Sequence, residues 1–113
     1  MTPRVASSVL VGALIRMAEA DGGFGAVLRK GDGISGAVLV LLTERGAIPR
    51  LLERILQPDG GYAWHSPVPA GFENVDEVAR FVERRGRFDP DLWVLELDIA
   101  SAERFAADMN AFG

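Results

Sequence analysis

The spacing of apolar residues changes abruptly at Leu92. Just before it, Asp89-Pro90-Asp91 predicts a tight turn, because proline fixes its own φ and excludes the preceding residue from the helical region. Beyond it, apolar residues recur at every second position, which predicts a strand over Leu92–Ile99 with one face in the core. The residues on that face are Trp93, Leu95, Leu97 and Ile99.

Four earlier segments also predict strands. Gly36–Thr43 is apolar at nearly every position, which is typical of a central strand buried on both faces. Phe24–Lys30 and Tyr62–Ser66 are shorter runs that glycine or proline turns separate from their neighbours. Ala47–Gln57 fits either a helix or a strand. We favour a strand there, because a meander then uses every turn signal in this part of the chain.

The N-terminal stretch predicts a helix that begins after Pro3 and ends at Asp21-Gly22-Gly23. Its length and its small residues also resemble a secretion signal. Arg16 interrupts the apolar run, and we therefore interpret the stretch as a core helix. The residues of its expected buried stripe are Val5, Val9, Leu10, Ala13, Leu14, Met17 and Ala18.

Two more helices are expected in the second half of the chain. Asn74 is a good N-cap for a helix over residues 75–85, and Glu77 stands at the capping-box position. The apolar face of that helix is formed by Val75, Val78, Ala79 and Val82. Ser101 is expected to cap a short C-terminal helix that carries Phe105, Met109 and Phe112.

These elements predict a single α+β domain over residues 1–113. We expect an antiparallel meander of four to five strands, with an N-terminal helix, a helix before the last strand and a short C-terminal helix covering one face. Three helices are too few to cover both faces of such a sheet. We therefore expect an apolar patch that includes Ile48–Ile55, and a homodimer or an unknown protein partner that buries it.

Several segments together resemble a known family. They are the apolar N-terminal helix, Ala26–Asp32, Gly36–Val40, the strand with Trp64 and, most specifically, Phe88–Glu96. The combination resembles the short alphaproteobacterial proteins of domain-of-unknown-function family 1491, over nearly the whole chain. The resemblance implies a compact bacterial cytosolic protein, and it implies no activity and no catalytic residue.

Composition removes several classes of function. The net charge of −4 and the pI of about 4.9 give no general attraction to nucleic acid. The chain has no cysteine, so disulfides, thiolate catalysis and cysteine-based zinc sites are excluded. The apolar N-terminal run is shorter than the roughly 20 residues that a membrane-spanning helix needs. We expect a cytoplasmic protein without metal or cofactor.

His65 is the only histidine, so a histidine-based general acid or base must use it. Neighbouring strand residues point to opposite faces, so Ser66 is not its expected nucleophilic partner. We interpret His65 as a surface histidine. Asp89 and Asp91 could bind a hard cation, but bonds from their carboxylates to nearby backbone amides explain them more simply.

Arg80, Arg84 and Arg87 lie along one face of the predicted helix, with acidic residues four positions before Arg80 and Arg87. A solvated, self-paired helix face is the simplest interpretation. Weak nucleic-acid binding through the Arg80–Arg87 face remains an alternative. Trp64 and Trp93 are expected in the core, although an exposed Trp64 would indicate a binding groove.

We therefore predict a non-enzymatic protein-interaction or regulatory module. The competing hypothesis is a small-ligand-binding or hydrolytic enzyme centred on His65, Asp89 and Asp91. No nucleophile, base and orienting group have sensible spacing, which disfavours an enzyme. The candidate pocket or interaction residues are Trp64, His65, Asp89, Asp91, Trp93, Arg80 and Arg84.

Overall fold

The described residues form three helices and five strands, with four consecutive strands between the first helix and the second. The computed structural model describes residues 6–45 and 47–112; Val5 and Gly46 therefore lie outside the described residues, as does the side chain of Phe112. The elements are α1 (Ser7–Ala20), β1 (Phe24–Arg29), β2 (Val38–Thr43), β3 (Arg50–Leu56), β4 (Tyr62–His65), α2 (Val75–Phe88), β5 (Trp93–Asp98) and α3 (Ala102–Phe112).

The five strands form one mixed sheet in the order β1-β5-β2-β3-β4. β5 pairs antiparallel with β1 and parallel with β2, while β2, β3 and β4 form an antiparallel run. The α+β class is confirmed, but the purely antiparallel meander is wrong. The chain crosses over the sheet through α2 and returns in the same direction as β4, so β5 enters between β1 and β2 instead of extending the edge.

Helices cover both faces of the sheet, not one as predicted. α1 and α3 share a core with the face that carries Trp93, Leu95 and Leu97, and α2 packs on the other face with Leu39 and Val94. Five of the six residues of β2 are buried. The prediction that helices would leave one face of β2 bare is therefore wrong, because α2 and α1 lie on opposite sides of the same strand.

The predicted strands are otherwise confirmed, including the choice of strand for Ala47–Gln57, which contains β3. The face of β5 that carries Trp93, Leu95, Leu97 and Ile99 is buried as expected. Leu92 and Val94 are buried as well, on the face that α2 covers. β5 is thus a central strand with both faces in the core.

The buried stripes of two helices differ from the predicted ones. Val9 of α1 is 57% exposed, and Val11 is buried in its place. Val75 of α2 is 55% exposed and Ala79 is also exposed, whereas Val78 is buried and Phe81 packs against the same core. Each helix lies rotated relative to its most regular apolar repeat, because the sheet, and not the repeat alone, decides which face is covered.

Within the described residues, no helix has the length and apolarity needed to cross a membrane.

Candidate functional site

His65 lies exposed near the end of β4, and its imidazole faces an amide instead of an acid. His65 Nε2 lies 3.3 Å from Gln57 Nε2. The same Gln57 nitrogen donates to the Ile55 carbonyl oxygen at 3.0 Å. Among the described residues no carboxylate or serine hydroxyl forms a hydrogen bond with His65. Within the described part of the chain, therefore, no acidic side chain orients His65 as a general base.

The structure does not bring His65 together with Asp89 and Asp91. His65 on β4 and Val94 on β5 lie in one row across the sheet, with β3 and β2 between them. Strands are spaced about 4.8 Å apart, so about 14 Å separates the backbones of β4 and β5. The two aspartates lie in the turn before β5, on the far side of that gap.

The Asp89–Asp91 turn is held by bonds to its own backbone. The Asp91 amide donates to Asp89 Oδ1 at 3.1 Å, and the Leu92 amide donates to the Asp89 carbonyl at 3.2 Å. Asp89 itself is extended, with φ of −132°, as expected for the residue before a proline. Within the part of the chain that the structure describes, no three acidic or histidine side chains are placed to hold a metal ion.

A second turn packs directly against this one. The Asp32 amide donates to the Asp91 carbonyl at 3.0 Å, and Trp93 Nε1 donates to the Asp32 carbonyl at 2.7 Å. The Asp32 carboxylate accepts from the amides of Ile34 and Ser35 at 3.1 and 2.9 Å. We call these two segments, residues 31–36 and 89–93, the turn junction. Sequence reasoning treated them as separate turns, although the glycines around Asp32 and the nearby indole donor were available signals.

Hydrogen bonds from the backbone amides of Ser35 and Ile34 lower the pKa of Asp32 below its usual value of 3.8. A lowered pKa in the folded state stabilises the fold above pH 3.8, and the contribution is lost as the pH falls through the lowered value. We expect Asp32→Asn to destabilise the protein at neutral pH and to cost progressively less below pH 3.8. Urea unfolding of both proteins from neutral to strongly acidic pH measures this, and a cost that is constant with pH would contradict it.

The two tryptophans are core residues, as predicted. Trp64 is buried on the α1 and α3 face, and its amide donates to Asn110 Oδ1 of α3 at 2.8 Å. His65, the next residue, points to the opposite face. Trp93 is buried on β5, between β1 and β2. Since Trp64 is not exposed, the structure shows no aromatic groove there.

One arginine of α2 contacts the sheet, and three others are exposed on the surface. Arg85 turns inward and forms a two-pronged ion pair with Glu53 of β3, and hydrogen bonding to that carboxylate raises the pKa of Arg85. Arg80, Arg84 and Arg87 are exposed. None of these three forms an ion pair with another described residue. The helix face is therefore solvated, as predicted, but the predicted ion pairs within the helix are not formed.

The two edges of the sheet differ in how well they are protected. β4 is four residues long, and Asn110 of α3 occupies the outward amide of Trp64. β1 is six residues long, pairs only with β5, and no side chain of a described residue bonds its outer backbone groups. An edge strand left open in this way is a template for pairing with another strand.

The side chains of β1 are also unusually apolar for an exposed edge. Phe24 is 60% exposed, Leu28 54% and Val27 44%, and Ala26 is exposed between them. A bulge interrupts the pairing with β5 after Val27. The apolar surface predicted at Ile48–Ile55 exists only in part, because those two isoleucines are partly exposed while the leucines between them are buried. We call the outer side of Phe24–Leu28 the β1 edge.

One side chain ties the end of β1 to α2. Arg29 Nη2 donates to the Gly86 carbonyl at 3.1 Å, near the C-terminal end of the helix. Gly86 makes room for this contact, since an added Cβ would lie 3.2–3.4 Å from the guanidinium atoms. The bond positions β1 from one side and leaves its outer side open. Sequence reasoning missed this edge because the exposure of a strand depends on where its neighbours lie.

Comparison with known proteins places the chain in a family. A family model described as "Protein of unknown function (DUF1491)" matches residues 5–107. The chain belongs to the DUF1491 family. The suspected resemblance is therefore confirmed, and the turn junction joins two of the segments that carried it. A search of curated proteins finds no match.

Solved structures of DUF1491 proteins share this fold. A crystal structure of a family member from Caulobacter crescentus is 38% identical with a TM-score of 0.79, covering 90% of this chain and 94% of that one. An NMR structure of a family member from the same organism is 37% identical with a TM-score of 0.78, covering 92% and 94%. A solution structure of a protein from A. tumefaciens is 32% identical with a TM-score of 0.75, covering 91% and 92%.

Proposed function

We propose that this DUF1491 protein is a non-enzymatic protein-interaction module that binds its partner through the β1 edge. The observation that carries the proposal is an open edge strand in which three of the four residues from Phe24 to Val27 are exposed. Edge-strand pairing supplies affinity through backbone hydrogen bonds and specificity through alternate side chains. The β1 edge offers both.

The difference between the two edges supports this choice. Natural sheets protect their edges with short strands, charges, bulges or a covering element, since open edges aggregate. β4 is short and is covered by Asn110. β1 has only its bulge and the positive charges of Arg29 and Lys30 at one end. An apolar edge with so little protection is consistent with a surface that a partner covers.

The alternatives have less support in the geometry. His65 lies across the sheet from Asp89 and Asp91, so an enzyme built on these three residues would lack a common pocket. The exposed arginines of α2 belong to a protein of net charge −4, which favours a protein partner over nucleic acid. We place the protein in the cytoplasm, because the stretch that resembled a secretion signal is a helix packed into the core.

A photo-crosslinking amino acid at position 27 tests the proposal inside cells. The matched control carries the same amino acid at position 75, another exposed valine, on α2. In cells of the organism that carries this chain, we expect a discrete adduct from position 27 and none from position 75. The crosslink should map to an extended segment of the partner, and Phe24→Lys in the same chain should abolish it.

The proposal fails if position 27 yields no adduct, or if positions 27 and 75 yield the same adducts. It also fails if Phe24→Lys leaves the adduct unchanged, since the crosslink would then not depend on strand pairing. Circular dichroism should show that each variant is folded, because surface substitutions away from special features usually change stability by less than about 0.5 kcal/mol.

A further inference from the structure

We infer that the partner of the β1 edge is the β1 edge of a second copy of this chain, paired antiparallel about a two-fold axis. The inference rests on the proposed function and names its partner. Two-fold pairing would join the two sheets into one of ten strands. It also removes the open edge of both copies at once, as a symmetric interface uses the same surface twice.

The side-chain alternation of β1 restricts how two copies can pair. Gly25 and Val27 share a face with α1, whereas Phe24 and Ala26 lie on the face of α2. Directly opposite residues in an antiparallel pair point to the same side of the sheet. A two-fold axis at Ala26 satisfies this rule, since it places Val27 of each copy opposite Gly25 of the other.

That register also gives each exposed valine an apolar neighbour. An added Cβ on Gly25 would meet Ile15 of α1 at 3.0 Å, so the isoleucine already packs over the glycine. Val27 of the second copy would then lie beside Ile15. Phe24 of one copy comes level with the bulged Leu28 of the other, so the two most exposed large apolar residues of the edge become neighbours.

Charge favours a second copy over an unrelated strand. The acidic residue Asp98 pairs with Phe24 at the start of β1, and Lys30 follows its last residue. Asp21, just before the strand, already forms an ion pair with Arg104, so Asp98 and Lys30 are the charges open to a second copy. Antiparallel pairing brings the basic end of one copy to the acidic end of the other. Lys30 is exposed and forms no ion pair with a described residue. The strand therefore carries the charge polarity that its own partner needs.

The interface should be weak. A strand of six residues spans about 20 Å. A stable homodimer usually buries at least about 1,000 Å² in total, and smaller interfaces belong to transient complexes. We therefore expect monomers at low micromolar concentration and dimers toward millimolar concentration, with exchange between the two.

Sedimentation velocity across this range tests the inference on the full chain. We expect the mass to rise from 12.2 kDa toward twice that value. Val27→Lys should weaken the dimer by about tenfold, since the two-fold axis makes the substituted residues diagonal neighbours on one face, roughly 7–8 Å apart, where two like charges repel. Val75→Lys is the matched control and should leave the dimer unchanged.

A charge swap identifies the interface more directly. Val27→Lys and Val27→Glu should each dimerise poorly alone, and a mixture of the two should recover the association of the unsubstituted protein. Hydrogen exchange should show protection of the β1 amides that grows with concentration. Recovery in the mixture could not arise from a general loss of stability.

Three results would overturn the dimer. They are a mass of 12.2 kDa at every concentration, equal effects of Val27→Lys and Val75→Lys, and no recovery in the mixture. If the crosslink from position 27 then joins a different protein, the interaction module stands and only its partner is wrong. If position 27 forms no adduct at all, the proposed function fails together with the dimer.

Discussion

Replacing Trp93 with alanine should lower the free energy of unfolding by about 3–5 kcal/mol, the usual cost of removing a large buried aromatic side chain. Trp93 is 5% exposed and belongs to the core between the sheet and α1. Its indole also donates to the Asp32 carbonyl at 2.7 Å. The substitution therefore creates a cavity and removes a bond that holds the turn junction.

A second variant separates these two effects. Trp93→Phe keeps much of the apolar volume but lacks the indole donor, so it should cost less than Trp93→Ala while still weakening the turn junction. Urea unfolding followed by far-UV circular dichroism measures both costs without relying on the fluorescence of the residue that is changed. A loss below about 1 kcal/mol for Trp93→Ala would contradict its placement in the core.

Local chemistry determined most of the secondary structure. Asn74 accepts the Glu77 amide at 2.9 Å, as expected of an N-cap, and the helix begins at the next residue. Gly22 has φ of +85°, a conformation that glycine adopts easily, where α1 was expected to end. These features depend on a few neighbouring residues, so a single sequence is enough to predict them.

The position of β5 in the sheet depends on contacts between distant residues. A meander would leave the last strand at an edge, where one face can be solvated. Leu92 and Val94 are apolar on the face opposite Trp93, and both are fully buried by α2. That second apolar face was a signal for a central strand, but it does not say which neighbours the strand has. Only pairing across the sheet decides this.

Site prediction from residue type had a similar limit. His65, Asp89 and Asp91 were chosen because imidazole and carboxylates carry much of enzyme chemistry, yet the sheet separates the histidine from the aspartates. The β1 edge contains no reactive group, and its apolar side chains look like core residues in the sequence. Their exposure follows from β1 having only one neighbouring strand, which no local pattern reveals.

The turn junction leads to the second large effect, at Gly36. A Cβ added there would lie less than 3.0 Å from the carbonyl oxygens of both Asp91 and Asp32. These are backbone atoms, so neither can rotate away as a flexible side chain would. The Gly36 carbonyl also accepts from Ser7 Oγ at 2.6 Å, which fixes the glycine against α1. The loop cannot shift without breaking one of its anchors.

We expect Gly36→Ala to cost about 3 kcal/mol, at the upper end of the range for overpacking a tight site. Gly33→Ala is the matched control in the same loop, because an added Cβ would meet only Ser8 at 3.8–3.9 Å and Gly33 does not have a positive φ. It should be close to neutral in urea unfolding. Equal costs for the two variants would mean that the loop tolerates or rejects any side chain alike. In that case the close packing of Gly36 against Asp91 would not be what holds residues 31–36 to the turn before β5.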